Sequence, residues 1–210
     1  MKILYLDTSS SFLYAGIVDD NKLINQINKK LDKDLSTYAL NEISLLFNSC
    51  DITPRDINKI IVVNGPGSFT GIRIGLTIAK TLAWTLNKEI TTISSLEAMS
   101  INNKNYDYYI PLIDARRGYV YAGIYDQNHN NVLKDQHIKL DNLLKELQDL
   151  NGQIIFISND TFDFEVQAYA PDILKIVKFY KNAPSVNPHG IDANYLKLTE
   201  AEENKKIIYN

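Results

Sequence analysis

The sequence predicts an α/β protein of two lobes, each a strand meander followed by a helix and a further strand. Three observations carry this. Short β-rich runs separated by turn residues open the chain, a helical spacing of apolar residues follows, and the same order of elements returns in reduced form past residue 103. A length of 210 residues allows one large domain or two small ones. The pattern divides it into a lobe at 1–103 and a smaller α/β lobe with a tail at 104–210. No residue-level repeat supports the duplication, which rests on element order alone.

In order along the chain, Ile3 to Leu6 is an apolar run ended by Asp7-Thr8-Ser9-Ser10-Ser11, and Phe12 to Val18 and Leu23 to Ile27 complete an antiparallel meander. Leu35, Ala39, Leu40, Ile43, Leu46, Phe47 and Cys50 share one helical face, with Asp34 or Ser36 as N-cap. Ile60-Ile61-Val62-Val63 has the continuous β-branched character of a strand buried on both faces. A helix is expected from about Ile72 to Leu86, a strand at Ile90 to Ile93 and a short helix at Ser94 to Ser100.

Polar Asn102-Asn103-Lys104-Asn105 reads as a linker. Tyr108 to Ile113 and Tyr119 to Tyr125 form strands around the reversal Asp114-Ala115-Arg116-Arg117-Gly118, Leu140 to Leu150 has helical spacing, and Ile154 to Ile157 is a buried strand. Pro184 and Pro188 interrupt the tail, and the charged stretch Glu200 to Lys206 offers little to bury, so the chain's end is expected to pack poorly.

At 45% hydrophobic and 22% charged residues the chain can build a real core, which excludes a disordered class. A net charge of −3 gives no field that would hold a polyanion unaided, so a nucleic-acid substrate would need another chain to grip it. The lone Cys50 fits a reducing compartment, and no Cys/His spacing resembles a zinc site. No signal-peptide pattern precedes the first strand, and no window reaches the roughly 18 apolar residues of a membrane span. The expectation is a cytoplasmic protein that does not enter membranes.

The informative segment is Gly65-Pro66-Gly67-Ser68-Phe69-Thr70-Gly71, where a strand hands over to a helix and unpaired N–H groups meet the positive end of a helix dipole. Such a loop can cradle an anion, although its glycines would equally serve a tight strand-to-helix turn. It lacks the Gly-Lys-Ser/Thr end of a P-loop and the spacing of G-x-G-x-x-G.

The longer string from Gly65 through Gly71-Ile72-Arg73-Ile74-Gly75-Leu76, with Ala79-Lys80 and Ser94-Ser95-Leu96-Glu97-Ala98, resembles the TsaB (YeaZ) family of the bacterial tRNA threonylcarbamoyladenosine system. Asp7-Thr8-Ser9, Asp114 to Gly118 with Val120-Tyr121, and Ala193 to Lys197 match in the same order. The chain departs from the family at Leu35-Ser36-Thr37, where a histidine often precedes the first helix, and near Pro184 to Ile191, where it looks short. The resemblance implies the actin/hexokinase-like (ASKHA) two-lobe α/β fold. It further implies a subunit that pairs with its catalytic paralogue TsaD and, with the ATPase TsaE and the activating enzyme TsaC, supports threonylcarbamoylation of adenosine 37. Contact with tRNA would then be indirect, and the resemblance admits a homodimer of the free chain while leaving a monomer equally open.

In that paralogue, the resemblance implies, the stretch matching Ile93 to Met99 carries two metal-binding histidines, whereas this chain has Ser95 and Met99. A hydroxyl and a thioether are poor ligands for a hard or borderline divalent ion. The expectation is therefore no catalytic residue and no metal or cofactor held by this chain alone, with ATP and Mg²⁺ admitted only at the level of the complex. His129, His137 and His189 lie at no helical spacing and read as surface or turn residues.

Asp7 and Asp114, one per lobe, would suit a phosphotransferase working with the Gly65 to Gly71 loop, or would merely cap turn amides. That phosphotransferase is the alternative function; a protease ranks last for want of a Ser/His/Asp grouping. Arg116 and Arg117 with Tyr119, Tyr121 and Tyr125 offer a basic, aromatic surface for RNA or simply one face of a strand. Arg73 and Lys80 would meet a phosphate or a partner carboxylate, or lie on a solvated face.

On the Ile72 to Leu86 helix, Ile72, Leu76, Ala79 and Ala83 form one stripe and Ile74, Ile78, Leu82 and Leu86 a second. The combined arc of roughly 200° exceeds the ~100° of a helix packed only on its own core. Small Ala79 and Ala83 suggest close helix–helix approach, so Leu40, Phe47, Ile72, Leu76, Ala79, Lys80 and Ala83 are assigned to a partner interface.

Overall fold

The structure, a computed structural model, describes residues 1–102 and 105–197. The first lobe is a five-stranded sheet built from β1 (Lys2–Asp7), β2 (Phe12–Asp19), β3 (Lys22–Lys30), β4 (Lys59–Val63) and β5 (Glu89–Ile93), in the order β3-β2-β1-β4-β5. The meander strands are antiparallel, and β4 and β5 run parallel to β1. Every residue of β4 is buried, as its β-branched run requires of a strand covered on both faces.

Two helices, α1 (Leu35–Asn48) and α2 (Phe69–Thr85), cover one face. α1 ends before Cys50, and the side chain of its N-cap Asp34 makes no capping hydrogen bond to the helix. α2 begins three residues earlier than its apolar spacing suggested, because the Ser68 hydroxyl caps it by accepting the Gly71 N–H at 3.2 Å.

The second lobe repeats the first. Its strands β6 (Tyr108–Asp114), β7 (Tyr119–Asp126), β8 (Asn131–Lys139) and β9 (Ile154–Ile157) order as β8-β7-β6-β9, with β9 parallel to β6, the same pattern as β3-β2-β1-β4. The helical spacing at Leu140 to Leu150 resolves into α4 (Leu140–Glu146) and a 3₁₀ turn at Leu147–Asp149. Ahead of the second lobe, the short helix α3 (Ser95–Ser100) is almost wholly buried between the sheets.

Two elements went unread in the sequence: strand β8 and helix α5 (Ile173–Tyr180). α5 corrects the lobe boundary. Although it follows β9 in the chain, its buried Ile173, Ile176 and Val177 join the cluster holding Ile3, Tyr5 and Val18 of the first sheet. The segment after it also returns to the first lobe. Lys59 Nζ donates to the carbonyls of Lys181 (3.2 Å) and Ala183 (2.5 Å), Val186 N–H to Ile90 O (2.9 Å), and Lys80 Nζ to Ile191 O (2.8 Å). Residues 173–197 therefore belong with 1–102, and the second lobe spans about 105–172. The prolines interrupt regular structure there, yet the segment is pinned by backbone carbonyls. Asn103, Lys104 and the stretch Glu200 to Lys206 lie outside the described residues.

Candidate functional site: the interlobe cleft and the two-helix groove

Between the lobes lies a cleft of about 510 Å³, floored by Ser9, Ser10 and Ser11 after β1 and walled by Gly67 to Thr70 on one side and Asp114 to Arg116 on the other. The β1–β2 turn and the loop before α2 are locked together: Ser68 N–H donates to Ser9 O at 2.7 Å, and Thr8 Oγ1 donates to Gly71 O at 2.7 Å. At Gly67, whose φ is +149°, a Cβ would stand 2.2 Å from Ser9 O, so glycine is required on two counts.

The seven-residue loop does not act as one cradle. Gly67, Ser68, Phe69 and Thr70 line the cleft, whereas Gly65 faces Ile72 and Asn194, the Pro66 carbonyl accepts the Ser95 hydroxyl, and Gly71 is buried under Thr8. The N–H groups of Ser68 and Gly71 already have acceptors within the protein.

Asp7 is likewise displaced from its expected place. It is only 2% exposed and does not line the cleft; its Oδ1 accepts the Ser9 N–H at 2.8 Å and the Ser9 hydroxyl at 2.7 Å. Burial raises its pKa, opposed by those two hydrogen bonds and the neighbouring Tyr5 hydroxyl. A raised folded-state pKa means the native state holds the proton more tightly than the unfolded chain, so the contribution of Asp7 to stability falls as pH rises through the carboxylate range. Asp7→Asn keeps an acceptor for Ser9 without the charge. In urea titrations its stability relative to wild type is expected to improve from about pH 3 to pH 7; a gap that moves the other way would contradict this.

Asp114 does line the cleft, but as a turn former: its Oδ1 accepts the Arg116 N–H at 2.8 Å and its own N–H donates to Asp160 at 2.8 Å. Ser95 and Met99, one turn apart on α3, both face the cleft. Met99 is buried, and the Ser95 hydroxyl is committed to Pro66 O. Among the described residues no three His, Cys, Asp or Glu side chains form a group that would hold a metal ion. His129 sits in a turn at φ 63°, His189 in an exposed 3₁₀ turn, and His137 on β8 against Tyr119 and Tyr121.

The cleft also takes Asn159, Asp160 and Tyr169 from the segment after β9. The sequence reading missed them, although Ser158-Asn159-Asp160 ends β9 much as polar residues end β1. α3 is further bound to the second lobe, since Ser94 donates to Asp135 and Tyr125 donates to the same carboxylate at 2.5 Å. Burial raises both Asp135 and Glu97 there.

The interface assignment needs correction. Phe47, Ile72, Leu76, Ala79 and Ala83 are buried in the first lobe's own core, with Ala83 only 1% exposed. Gly71, Gly75, Ala79 and Ala83 recur every fourth residue, so the small side chains bring α2 close to its own sheet rather than to another helix. Lys80 serves the chain internally, through Ile191 O. What faces outward is the first half of the second stripe: Ile74 and Ile78, with Phe69 of α2 and Leu40 of α1, 62% exposed, line an open groove of about 490 Å³ between the helices. At its end Arg73 lies 3.7 Å over the Phe69 ring and donates through Nε to the Tyr195 hydroxyl at 2.9 Å.

Comparison with known proteins agrees with this architecture. Residues 21–177 match the family model described as "TsaD: tRNA N6-adenosine threonylcarbamoyltransferase". The tRNA threonylcarbamoyladenosine biosynthesis protein TsaB of Bacillus subtilis is 35% identical over 96% of this chain and 96% of its own length. The protein of that name from Escherichia coli is 26% identical over 75% of this chain and 71% of its own. YeaZ from Pseudomonas aeruginosa superposes with a TM-score of 0.75 at 17% identity, over 92% of this chain and all of its own. The structural likeness establishes the actin/hexokinase-like two-lobe α/β fold, and no helix among the described residues is long and apolar enough to cross a membrane. On the near full-length relationship to the Bacillus protein, the chain belongs to the TsaB (YeaZ) family of tRNA threonylcarbamoyladenosine biosynthesis proteins.

Proposed function

We propose that this chain is the noncatalytic partner subunit of the tRNA N6-threonylcarbamoyladenosine (position 37) modification system. It binds and organises the metal-bearing catalytic paralogue TsaD together with the ATPase TsaE, downstream of the activating enzyme TsaC, in the cytoplasm. The observation that supports this reading is the state of the cleft. Ser95, tied to Pro66 O, and Met99 stand where the paralogue carries metal-ligating imidazoles, and Asp7 is sealed beneath the floor. The groove between α1 and α2 supplies the apolar surface for docking, and any ATP and Mg²⁺ belong to the assembled complex.

The phosphotransferase alternative needs a carboxylate from each lobe facing substrate; the cleft is lined by Asp114 and Asp160, both of the second lobe, while Asp7 of the first is buried outside it. The isolated chain with Mg·ATP is expected to show no turnover, and sedimentation with the paralogue to show a stable complex. Turnover abolished by Asp7→Asn or Asp114→Asn, with no complex formed, would replace this reading with the phosphotransferase.

A further inference from the structure

The hairpin tip between β6 and β7 places two arginines in unusual isolation. Arg116 and Arg117 are exposed, both at left-handed φ (66° and 54°), and among the described residues neither guanidinium enters a hydrogen bond or ion pair. The carboxylates of this corner accept backbone amides instead: Asp114 takes the Arg116 N–H, and Asp160 takes the Asp114 N–H. Directly behind the tip, β7 turns the half-exposed Tyr119 and Tyr121 to one side, and cross-strand register sets His137 opposite Tyr121 and Lys139 opposite Tyr119.

The rings assemble into a short stack. His137 lies parallel to Tyr119 at 4.7 Å and tilted against Tyr121 at 5.4 Å, while Lys139 Nζ is 5.8 Å from the Tyr119 ring. Tyr125, four residues beyond Tyr121 on the same face, is buried, so the expected tyrosine alternation splits into a core half and a surface half. The surface half runs from the tip to Tyr121 at the wall of the cleft.

Flat aromatic faces beside unpaired cations are the chemistry that binds unstacked bases and their phosphates. An apolar protein partner would find few aliphatic side chains here, and an acidic one would leave the rings unused. We infer that Arg116, Arg117, Tyr119, Tyr121, His137 and Lys139 form a contact strip for a single-stranded loop of RNA. The inference rests on the proposed role in tRNA modification and deepens it: the chain touches the RNA itself, while the net charge of −3 leaves overall affinity to the complex.

The test is fluorescence anisotropy of a labelled anticodon stem-loop RNA titrated with the complex of this chain and its paralogue at two salt concentrations. The double variant Arg116→Gln/Arg117→Gln is expected to weaken binding about ten-fold and lower the log–log salt slope by about 1 to 2. Tyr119→Ala is expected to lose several-fold in affinity with a melting curve close to wild type, and Tyr119→Phe to retain affinity, which assigns the effect to the ring rather than to the hydroxyl or to unfolding. Wild-type affinity and slope in the arginine variant would overturn the inference. So would unchanged RNA affinity accompanied by weaker binding to TsaE, which would make the strip a protein-docking surface. Transfer activity that requires the chain while the arginine variant binds RNA normally refutes the strip alone. Transfer that proceeds without the chain refutes the partner-subunit reading, whatever the strip binds.

Discussion

Gly71→Ala is expected to destabilise the protein by about 3 kcal/mol, against the direction that helix propensity alone would give. Within a helix, glycine to alanine normally gains up to about 1 kcal/mol. Here an added Cβ would stand 2.1 Å from the Thr8 carbonyl oxygen, a backbone atom that cannot swing aside as a flexible side chain would. That carbonyl sits in the turn after β1, and the same contact is tied by Thr8 Oγ1 to Gly71 O. Relief therefore requires α2 to lift from the sheet, opening gaps beneath Ile72 and Leu76. Urea or thermal unfolding measures this directly; wild-type stability in the variant would show that α2 does not pack as described.

The second large effect concerns docking. Leu40→Glu and Ile78→Glu place a carboxylate on each side of the groove: Leu40 is 62% exposed, and Ile78, half-buried, rests on the edge of the lobe's core, so some loss of stability is expected from the second substitution. A charge buried without a partner at an apolar interface costs on the order of 3 kcal/mol or more, so the double variant should bind the paralogue at least about 100-fold more weakly while still melting as a cooperatively folded chain. Calorimetric titration and a melting curve on the same preparation check both halves. Equal affinity would place the docking surface elsewhere. Ala83→Glu is not an equivalent test, because at 1% exposure Ala83 belongs to the core and the variant would fail to fold.

How much of this was readable beforehand depended on whether a signal was local. The meander, the buried strand β4 and the capped helix α2 are written in periodicity and turn residues, and the structure places them within a few residues. The helix α5 has the spacing of Ile173, Ile176, Val177 and Tyr180, but it follows a long irregular stretch, and its docking on the other lobe's sheet depends on contacts far apart in sequence. The two stripes of α2 were legible as stripes. Which one faces inward was not, because small residues permit close approach to a sheet as readily as to a helix, and only the turn at Thr8 decides. In the cleft, the loop at Gly67 to Thr70 was legible from its motif, and the Ser95/Met99 pair only through the resemblance to the paralogue. The burial of Asp7 and the arrival of Asn159, Asp160 and Tyr169 were not, since both arise from the packing of one lobe against the other.

The most direct test of a partner-subunit role is threonylcarbamoyl transfer to a cognate tRNA, reconstituted from the catalytic paralogue, the ATPase and the activating enzyme, with and without this chain. Loss of product on omission is expected, restored by the wild-type chain but not by Leu40→Glu/Ile78→Glu. Undiminished product in the absence of the chain would contradict the role.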